Sequence, residues 1–547
     1  MILRAIVLLF AAAEVMSQSP LFQSIELEPM AASRPAMMIS HIPEAKGGGV
    51  SVVDLDSDGI LDIVACIPGR VDDVIAKRPT PPPRIWRGLG AMRFEEVKSA
   101  SWPALSWPMG SIYDDLDGDG RRDVVWSTVN GLRCWRNLGD FRFADTTKEW
   151  MPDSAINAGW CTSATWADLD LDGDLDLVVA RYLEFPWENP PRDGANGRVC
   201  RYKGHPTVCG PRGFTPMRPL ALRRNTIGFK DATTEWRFDR CEAVYGLGIV
   251  ALDVNRDGRP DIAVAADMTP NLLFVSDADG GFHEEGATAG IAFSADGAPQ
   301  AGMGIDVGDL NQDGLDDLVI TNFEGETNSI LIQRTSGGFA EVSASCGTAP
   351  VDRPRLGWGV GIRDFDGDGR ADILVANGHV YPDAKLVGST FEMPMTLHLG
   401  GTNDSGKMRF RQARELPAIE TPRVGRGLAL GDFDADGRLD AVMSRIDGPP
   451  VILHNRAKER RWIGIRIRGG TSNLDGVGAT LSIMGHSPTA TARLRVDGSF
   501  LAQSEPSVIF VEPSYGFSPG QVMTVTVGKK SVTVSPEINR YTTVDIK

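Results

Sequence analysis

No stretch of this chain is apolar for long enough to cross a bilayer. Its compact N-terminal apolar run, Ala5–Ala13, falls far short of the roughly 20 residues a spanning helix needs. Basic residues are not in excess. There are 56 Lys and Arg against 72 Asp and Glu, a formal net charge of −16, which argues against nucleic acid, whose binding needs a basic footprint. Histidine is scarce, at positions 41, 205, 283, 379, 398, 454 and 486. No His-x-x-x-His pair and no Gly-x-Ser-x-Gly elbow occurs, so neither a zinc-hydrolase helix nor a nucleophile elbow is written in the sequence. Cysteine is sparse and odd in number, seven in all. That count fits an oxidising compartment and leaves at least one thiol unpaired or paired between chains.

What the chain has instead is one phrase written seven times, Asp-x-Asp/Asn-x-Asp-Gly-x-x-Asp, beginning at Asp54, Asp115, Asp168, Asp253, Asp309, Asp364 and Asp432. Calcium takes six to eight hard oxygens at about 2.3–2.6 Å, and carboxylates on alternate residues of a tight loop can converge on it. In the first copy Asp54, Asp56 and Asp58 supply side chains, Gly59 allows the turn, Ile60 offers its carbonyl and Asp62 closes the shell. The corresponding sets are Asp115, Asp117, Asp119, Arg121 and Asp123; Asp168, Asp170, Asp172, Asp174 and Asp176; Asp253, Asn255, Asp257, Arg259 and Asp261. Three more follow: Asp309, Asn311, Asp313, Leu315 and Asp317; Asp364, Asp366, Asp368, Arg370 and Asp372; Asp432, Asp434, Asp436, Arg438 and Asp440. In each set the fourth residue named contributes only its backbone carbonyl. One such loop could be an ordinary turn, since Asp and Gly favour turns. Seven with the same offsets could not, because packed carboxylates repel without a cation. The ligand spacing is EF-hand-like, but these are not EF-hands: the twelfth residue is Ala65 in the first copy and Trp126 in the second, where an EF-hand needs Glu. Seven Ca2+ would add about +14 and leave a net charge of about −2, so the acidity is mostly that of the loops.

After every loop comes a short run rich in β-branched and apolar residues, such as Ile63-Val64-Ala65, Leu318-Val319-Ile320 and Ile373-Leu374-Val375, which reads as a buried strand. Loop starts are 53 to 85 residues apart, room for four short strands and their turns. Repeats that cannot bury their own faces stack on neighbours, and radial four-stranded repeats make a β-propeller. The expected fold is all-β: a seven-bladed propeller over 46–457, then a small β-rich domain over 458–547. Small residues precede the loops (Gly47–Gly49, Gly246-Leu-Gly248, Gly357-Trp-Gly359, Gly425-Arg-Gly427) and suit a crowded axis. Phe94, Phe143, Phe229, Phe282, Phe339 and Phe410 suit the space between blades.

Residues 1–17 read as a secretory leader, with Arg4 before the apolar run and small residues Ala13 and Ser17 at cleavage points; residues 18–45 then form a linker or first strand. The expected address is extracellular or periplasmic. The longest interval holds an insertion, 183–219, rich in Pro and Gly and locally basic through Arg192, Arg198, Arg201, Lys203 and Arg212. Long structured loops are often functional; this one could bind an acidic glycan or partner, or be a disulfide-pinned cover over one face. Cys200 and Cys209 are the leading disulfide pair, Cys161 and Cys241 could form a second, and Cys66, Cys134 and Cys346 read as buried thiols.

The loops and their Gly-x-Gly strands resemble the FG-GAP/VCBS repeats of integrin-α-type propellers. The stretches Ser472-Asn-Leu-Asp-Gly-Val-Gly-Ala479 and Gly498-Ser-Phe-Leu-Ala-Gln-Ser-Glu-Pro506 resemble the ASPIC/UnbV domain of cartilage-acidic-protein-like proteins. Cys209-Gly-Pro-Arg-Gly213 and Ala376-Asn-Gly-His-Val-Tyr-Pro382 also look like segments of that family. The resemblance departs at Val508–Ser514, where the family has a Phe-Gly-Leu-Gly-like turn, and near Val525–Lys530. It implies a secreted calcium-binding protein of adhesion or matrix type, with an extracellular protein or glycan as partner, and brings no catalytic residues. The alternative is a polysaccharide-active lyase or hydrolase, with His379, Tyr381 and Asp383 nearest to a catalytic set; His379 bonding a turn is the simpler reading.

Overall fold

The computed structural model describes residues 21–27, 39, 41–98, 100, 102, 107–191, 199–470, 472–484, 490–512, 517 and 520–546. The leader at 1–17 and the insertion's Arg192 and Arg198 lie outside the described residues.

Every loop of the repeated phrase joins two antiparallel strands. In the first sheet Val50–Val53 pairs with Asp62–Ala65, then Arg84–Gly88, then Phe94–Glu96. The same order of four recurs for sheets starting at Pro108–Asp114, Cys161–Ala167, Gly246–Leu252, Ile305–Gly308, Gly357–Arg363 and Gly425–Gly431. The first strand of each sheet packs on the first strand of the next, and that of the seventh packs on that of the first. The seventh sheet takes its outermost strand from the far end of the sequence: Phe22–Glu26 pairs with Val451–Asn455, from Phe22 opposite Asn455 to Glu26 opposite Val451. The segment expected as linker or first strand therefore closes the seventh sheet onto the chain's beginning.

The second strands are buried on both faces, which is why they read as continuous apolar runs rather than alternating ones. Between neighbouring sheets lie separate apolar clusters. One joins Val250, Leu273, Ile305 and Leu331 of the fourth and fifth sheets, and another joins Val319, Ile330, Ile362 and Ile373 of the fifth and sixth. The expected phenylalanines stand at the outermost strands: Phe143, Phe229, Phe282, Phe339 and Phe410 are buried and Phe94 half-buried.

The C-terminal part forms two small sheets, Ser507–Val511 with Trp462–Arg468 and Tyr541–Asp545, and Ala490–Arg493 with Thr480–Ile483, Met523–Val527 and Lys530–Val534. It sits on the loop side of the seven sheets and sends residues 497–505 down between their first strands. That segment touches all seven. Asp497 Oδ2 accepts from Thr165 Oγ1 (2.6 Å) and Ala251 N (2.7 Å). Ser499 exchanges backbone bonds with Ile305, and its Oγ accepts from Val360 N. Leu501 N donates to Ser163 Oγ, Gln503 Oε1 accepts from Tyr113 N, and Ser504 Oγ accepts from Leu430 N. Ala502–Gln503 runs parallel to Val50–Ser51. This threading explains two of the small residues: a Cβ on Gly49 would lie 1.7 Å from the Leu501 carbonyl oxygen, and one on Gly427 2.9 Å from that of Phe500, whereas Gly248 and Gly359 are crowded by the first strand of the next sheet.

The opposite end is capped by the helix Ile42–Lys46. Lys46 is buried, paired with Asp267 at 2.9 Å and set over the Tyr182 and Trp358 rings. Burial lowers its pKa.

One disulfide forms, Cys200–Cys209. Cys161 and Cys241 do not pair. They belong to different apolar clusters, Cys161 beside Trp166 and Leu177 and Cys241 beside Phe238 and Val244. Cys66, Cys134 and Cys346 are buried thiols, as expected.

Candidate metal centres

Each loop is organised by its own backbone before any ion is considered. The first Asp is a turn acceptor: Asp54 Oδ2 takes the N–H of Gly59, and Asp115, Asp168, Asp253, Asp309, Asp364 and Asp432 do the same for Gly120, Gly173, Gly258, Gly314, Gly369 and Gly437, at 2.8–3.1 Å. The fifth-position Asp accepts from the residue two further on. Asp58, Asp119, Asp172, Asp257, Asp313, Asp368 and Asp436 hold the N–H groups of Ile60, Arg121, Asp174, Arg259, Leu315, Arg370 and Arg438, all at 2.9 Å. These bonds turn the carboxylates inward along one short arc. The glycine at the sixth position has positive φ, from 78° to 102° across the seven copies, a conformation costly to residues with a Cβ.

The ninth-position Asp does a second job that sequence reading missed. Asp62 is fully buried. Its Oδ2 accepts from Leu55 N in the loop and its Oδ1 from Gly88 N on the third strand. Asp123, Asp176, Asp261, Asp317, Asp372 and Asp440 repeat this staple with Asn137, Arg224, Ser276, Gln333, Gly400 and Asn455. In four sheets the side chain after that N–H reaches the preceding loop. Asn137 Nδ2 donates to the Leu55 carbonyl and Asn455 Nδ2 to that of Phe365, both at 2.9 Å, while Arg224 and Gln333 reach Leu116 and Val254. The signal in the sequence is the residue closing each third strand, visible only once the register is known.

Burial pushes these carboxyls up: Asp62, Asp123 and Asp317 to about 7, Asp176 and Asp372 to about 8, Asp261 to about 6, and Asp440 well above the usual range. Neighbouring loop carboxylates add to the effect. Asp168 and Asp364 rise to about 6 for the same reasons, and Asp432 to about 7 through burial and the nearby Glu505 carboxylate. Asp56 Oδ1, Asp168 Oδ1, Asp170 Oδ1 and Asp434 Oδ1 are buried without a hydrogen-bond partner. Carboxylates gathered within 4.8 Å of one another, among them Asp54, Asp56 and Asp58, and Asp364, Asp366 and Asp372, with oxygens that no donor satisfies, fit a hard divalent cation.

The loops differ in their surroundings. Arg87, Arg136 and Arg223 place Nε 2.7–3.0 Å from Oδ2 of Asp56, Asp117 and Asp170. The C-terminal part touches others: Tyr541 OH donates to Asp432 Oδ2 at 2.9 Å, and Arg493 Nη2 lies 3.2 Å from Asp253 Oδ2.

The described part of the insertion lies on the opposite end. Lys203 pairs with Glu324 at 2.9 Å, and Tyr202 packs on Phe323, His379 and Tyr381. His379 is buried, with Nε2 3.0 Å from Glu324 Oε2 and Nδ1 accepting the N–H of Tyr381. Both ring nitrogens are engaged, and burial lowers its pKa. Asp383 begins a short 3-10 turn and shares no hydrogen bond with His379.

With that geometry in view, the family match is specific. An FG-GAP-like repeat matches residues 54–126, 115–179, 253–320 and 309–375, each stretch running from one loop to the second strand of the next sheet. The chain carries FG-GAP repeats. Human cartilage acidic protein 1 is 24% identical over 439 residues, covering 76% of this chain and 59% of that protein. Human integrin alpha-7 is 30% identical over 224 residues, covering 39% of this chain and 17% of that one. The chain thus spans under two thirds of the curated relatives it matches. A solved structure of an Agrocybe aegerita lectin covers 72% of this chain and 85% of its own at 16% identity, with a TM-score of 0.41, too low to carry an argument. Among the described residues no helix is long and apolar enough to cross a membrane.

Proposed function

We propose that this FG-GAP protein is a calcium-stabilised, closed seven-bladed β-propeller that acts as an extracellular binding scaffold. The observation that carries the reading is the repeated loop: the same hydrogen bonds at the same positions in all seven sheets, with unpartnered buried carboxylate oxygens turned into several of them. Asp54, Asp56, Asp58, the Ile60 carbonyl and Asp62 would hold Ca2+ in the first loop, and the equivalent residues would in the other six. The ion would neutralise carboxylates that burial otherwise disfavours. The ninth-position staples then pass each loop's rigidity to the third strand of its own sheet.

The work of such ions is structural. Binding falls to the surfaces that do not repeat, above all the disulfide-closed hairpin around Tyr202. Integrin-like and cartilage-acidic-protein-like relatives support an adhesion-type role, with an extracellular protein or glycan as ligand, and a secreted address goes with it. The enzymatic alternative is disfavoured because His379 has both nitrogens engaged beneath aromatic rings. The test is a panel of extracellular-matrix proteins and glycans, probed with immobilised protein in calcium and in chelator, and assayed in parallel for turnover. Calcium-dependent capture without turnover supports the scaffold. Turnover lost in His379→Ala would replace it with the enzyme.

A further inference from the structure

The seven sheets form an internal alignment, and one register position in it differs in chemistry. On each third strand the residue just before the N–H that holds the ninth-position Asp stands beside the loop's third position. In the first three sheets it is Arg87, Arg136 or Arg223, each paired with Oδ2 of the third-position Asp. In the fourth and fifth it is Val275 or Ile332, and there the third position is Asn255 or Asn311, not Asp. The charge is thus matched within each of these five sheets: Arg against Asp, an apolar residue against Asn. In the sixth it is Leu399, and the charges of Arg411 on the outermost strand and of Arg460 act on Asp366 instead.

The seventh sheet breaks the pattern with His454. Its side chain is 8% exposed, and Nε2 lies 3.1 Å from Asp434 Oδ2. Ligand atoms of His454, Asp434 and Asp436 all fall within 4.8 Å of one another. The second oxygen of Asp434, Oδ1, is buried and has no hydrogen-bond partner. This loop also lies beyond the stretches that match the repeat family.

We propose that the seventh loop is a transition-metal site, taking a divalent ion of the Zn2+ class between His454, Asp434 and Asp436 where the other loops take Ca2+. The proposal builds on the reading of the loops as cation sites and replaces Ca2+ in the seventh. Calcium selects oxygen donors, whereas imidazole suits zinc, copper, iron and nickel. Bonds of about 2.0–2.2 Å in a tetrahedral shell put adjacent ligand atoms about 3.3–3.6 Å apart, and the His454–Asp434 contact of 3.1 Å has only to open by a few tenths of an ångström to reach that spacing. Coordination through Nε2 uses the Nδ1-protonated tautomer, so the contact becomes two neighbouring ligands instead of a hydrogen bond. Arginine at the same register cannot do this, having no lone pair to give. The Trp462 ring of the C-terminal part packs against Gly437 of this loop, so the ion would sit where that part meets the seventh sheet.

The test is Zn2+ titration of the calcium-loaded full chain by calorimetry, beside His454→Arg, which installs the residue of the first three sheets, and His454→Gln. Bound calcium is counted in each, and pulsed EPR of the Cu2+-loaded protein reads imidazole nitrogen. The expected result is one Zn2+ per chain held against millimolar calcium, lost in both variants while melting and the calcium count of the other loops stay unchanged, with imidazole coupling only in the wild type. Equal Zn2+ binding in wild type and variants, or none in either, overturns the proposal even if every loop takes calcium. Zn2+ held through His454 in a chain that binds no calcium would leave it standing and remove the calcium scaffold instead.

Discussion

Replacing Gly49 by Ala tests whether residues 497–505 are an integral part of the seven-sheet body. Gly49 has no positive φ, so Ala costs nothing in backbone conformation; the whole effect must come from space. The new Cβ would meet the Leu501 carbonyl oxygen at 1.7 Å and the Leu501 Cβ at 2.8 Å. A flexible side chain could yield, but this is backbone, tied on either side by the Ile305, Ser163 and Tyr113 bonds. If it does not move, overpacking costs about 1–3 kcal/mol or more. If it is expelled, fully buried Phe500 and Leu501 each forfeit about 1.5–3 kcal/mol of apolar burial. Each lost hydrogen bond adds about 0.5–1.5 kcal/mol. Against a net stability of about 5–15 kcal/mol for a domain, the predicted loss is large. Gly470→Ala is the control, with nothing within 4 Å of its Cβ. The assay is thermal melting with limited proteolysis of the connection at 456–461. Gly49→Ala should melt well below wild type, bind an apolar dye and be cut faster, while Gly470→Ala matches wild type. A Gly49→Ala protein that melts with the wild type and stays protected would refute the threading.

Three further predictions concern the loops and the insertion. Asp317→Asn should destabilise by about 1–3 kcal/mol in chemical denaturation, because its amide can accept from only one of Leu310 N and Gln333 N and turns a donor toward the other. In chelator, melting temperature should fall as pH rises from about 4 to 8. The folded pKa values of Asp62, Asp176 and Asp372, about 7 to 8, lie above the ordinary aspartate value of 3.8. The folded state thus keeps protons the unfolded state has lost, and stability declines across that window. Calcium should flatten or reverse the slope, since the ion replaces those protons; an apo melting temperature that rises with pH would contradict this. Replacing Cys200 and Cys209 by Ser should cost the hairpin about 2–3 kcal/mol of loop-closure entropy. The insertion would then be cut faster by protease with little change in the main melt.

The acidic loops and the strand after each one were legible because both are local: the carboxylates fall within nine residues and the apolar run follows directly. The phenylalanines were legible as core for the same reason. What was not legible depends on pairing across long separations. Nothing local marks Phe22–Glu26 as the partner of Val451–Asn455, more than 420 residues away. Gly498–Glu505 drew notice as a motif, but its descent among seven first strands follows from contacts no single segment encodes. Arg87, Arg136, Arg223 and His454 look like scattered polar residues until register sets them beside the third loop position. Cys161 and Cys241 flank the same insertion in sequence yet face different apolar clusters.

On the proposed function the loops hold ions and the ions hold the sheets. Its most direct test is calcium stoichiometry by equilibrium dialysis, joined to melting of the same sample in calcium and in chelator. The expected result is several calcium ions per chain, at least in the six loops without His454, and a marked drop in melting temperature on chelation, because ions that bind only the folded state stabilise it by mass action. A protein that binds no calcium and melts at one temperature in both conditions would contradict it.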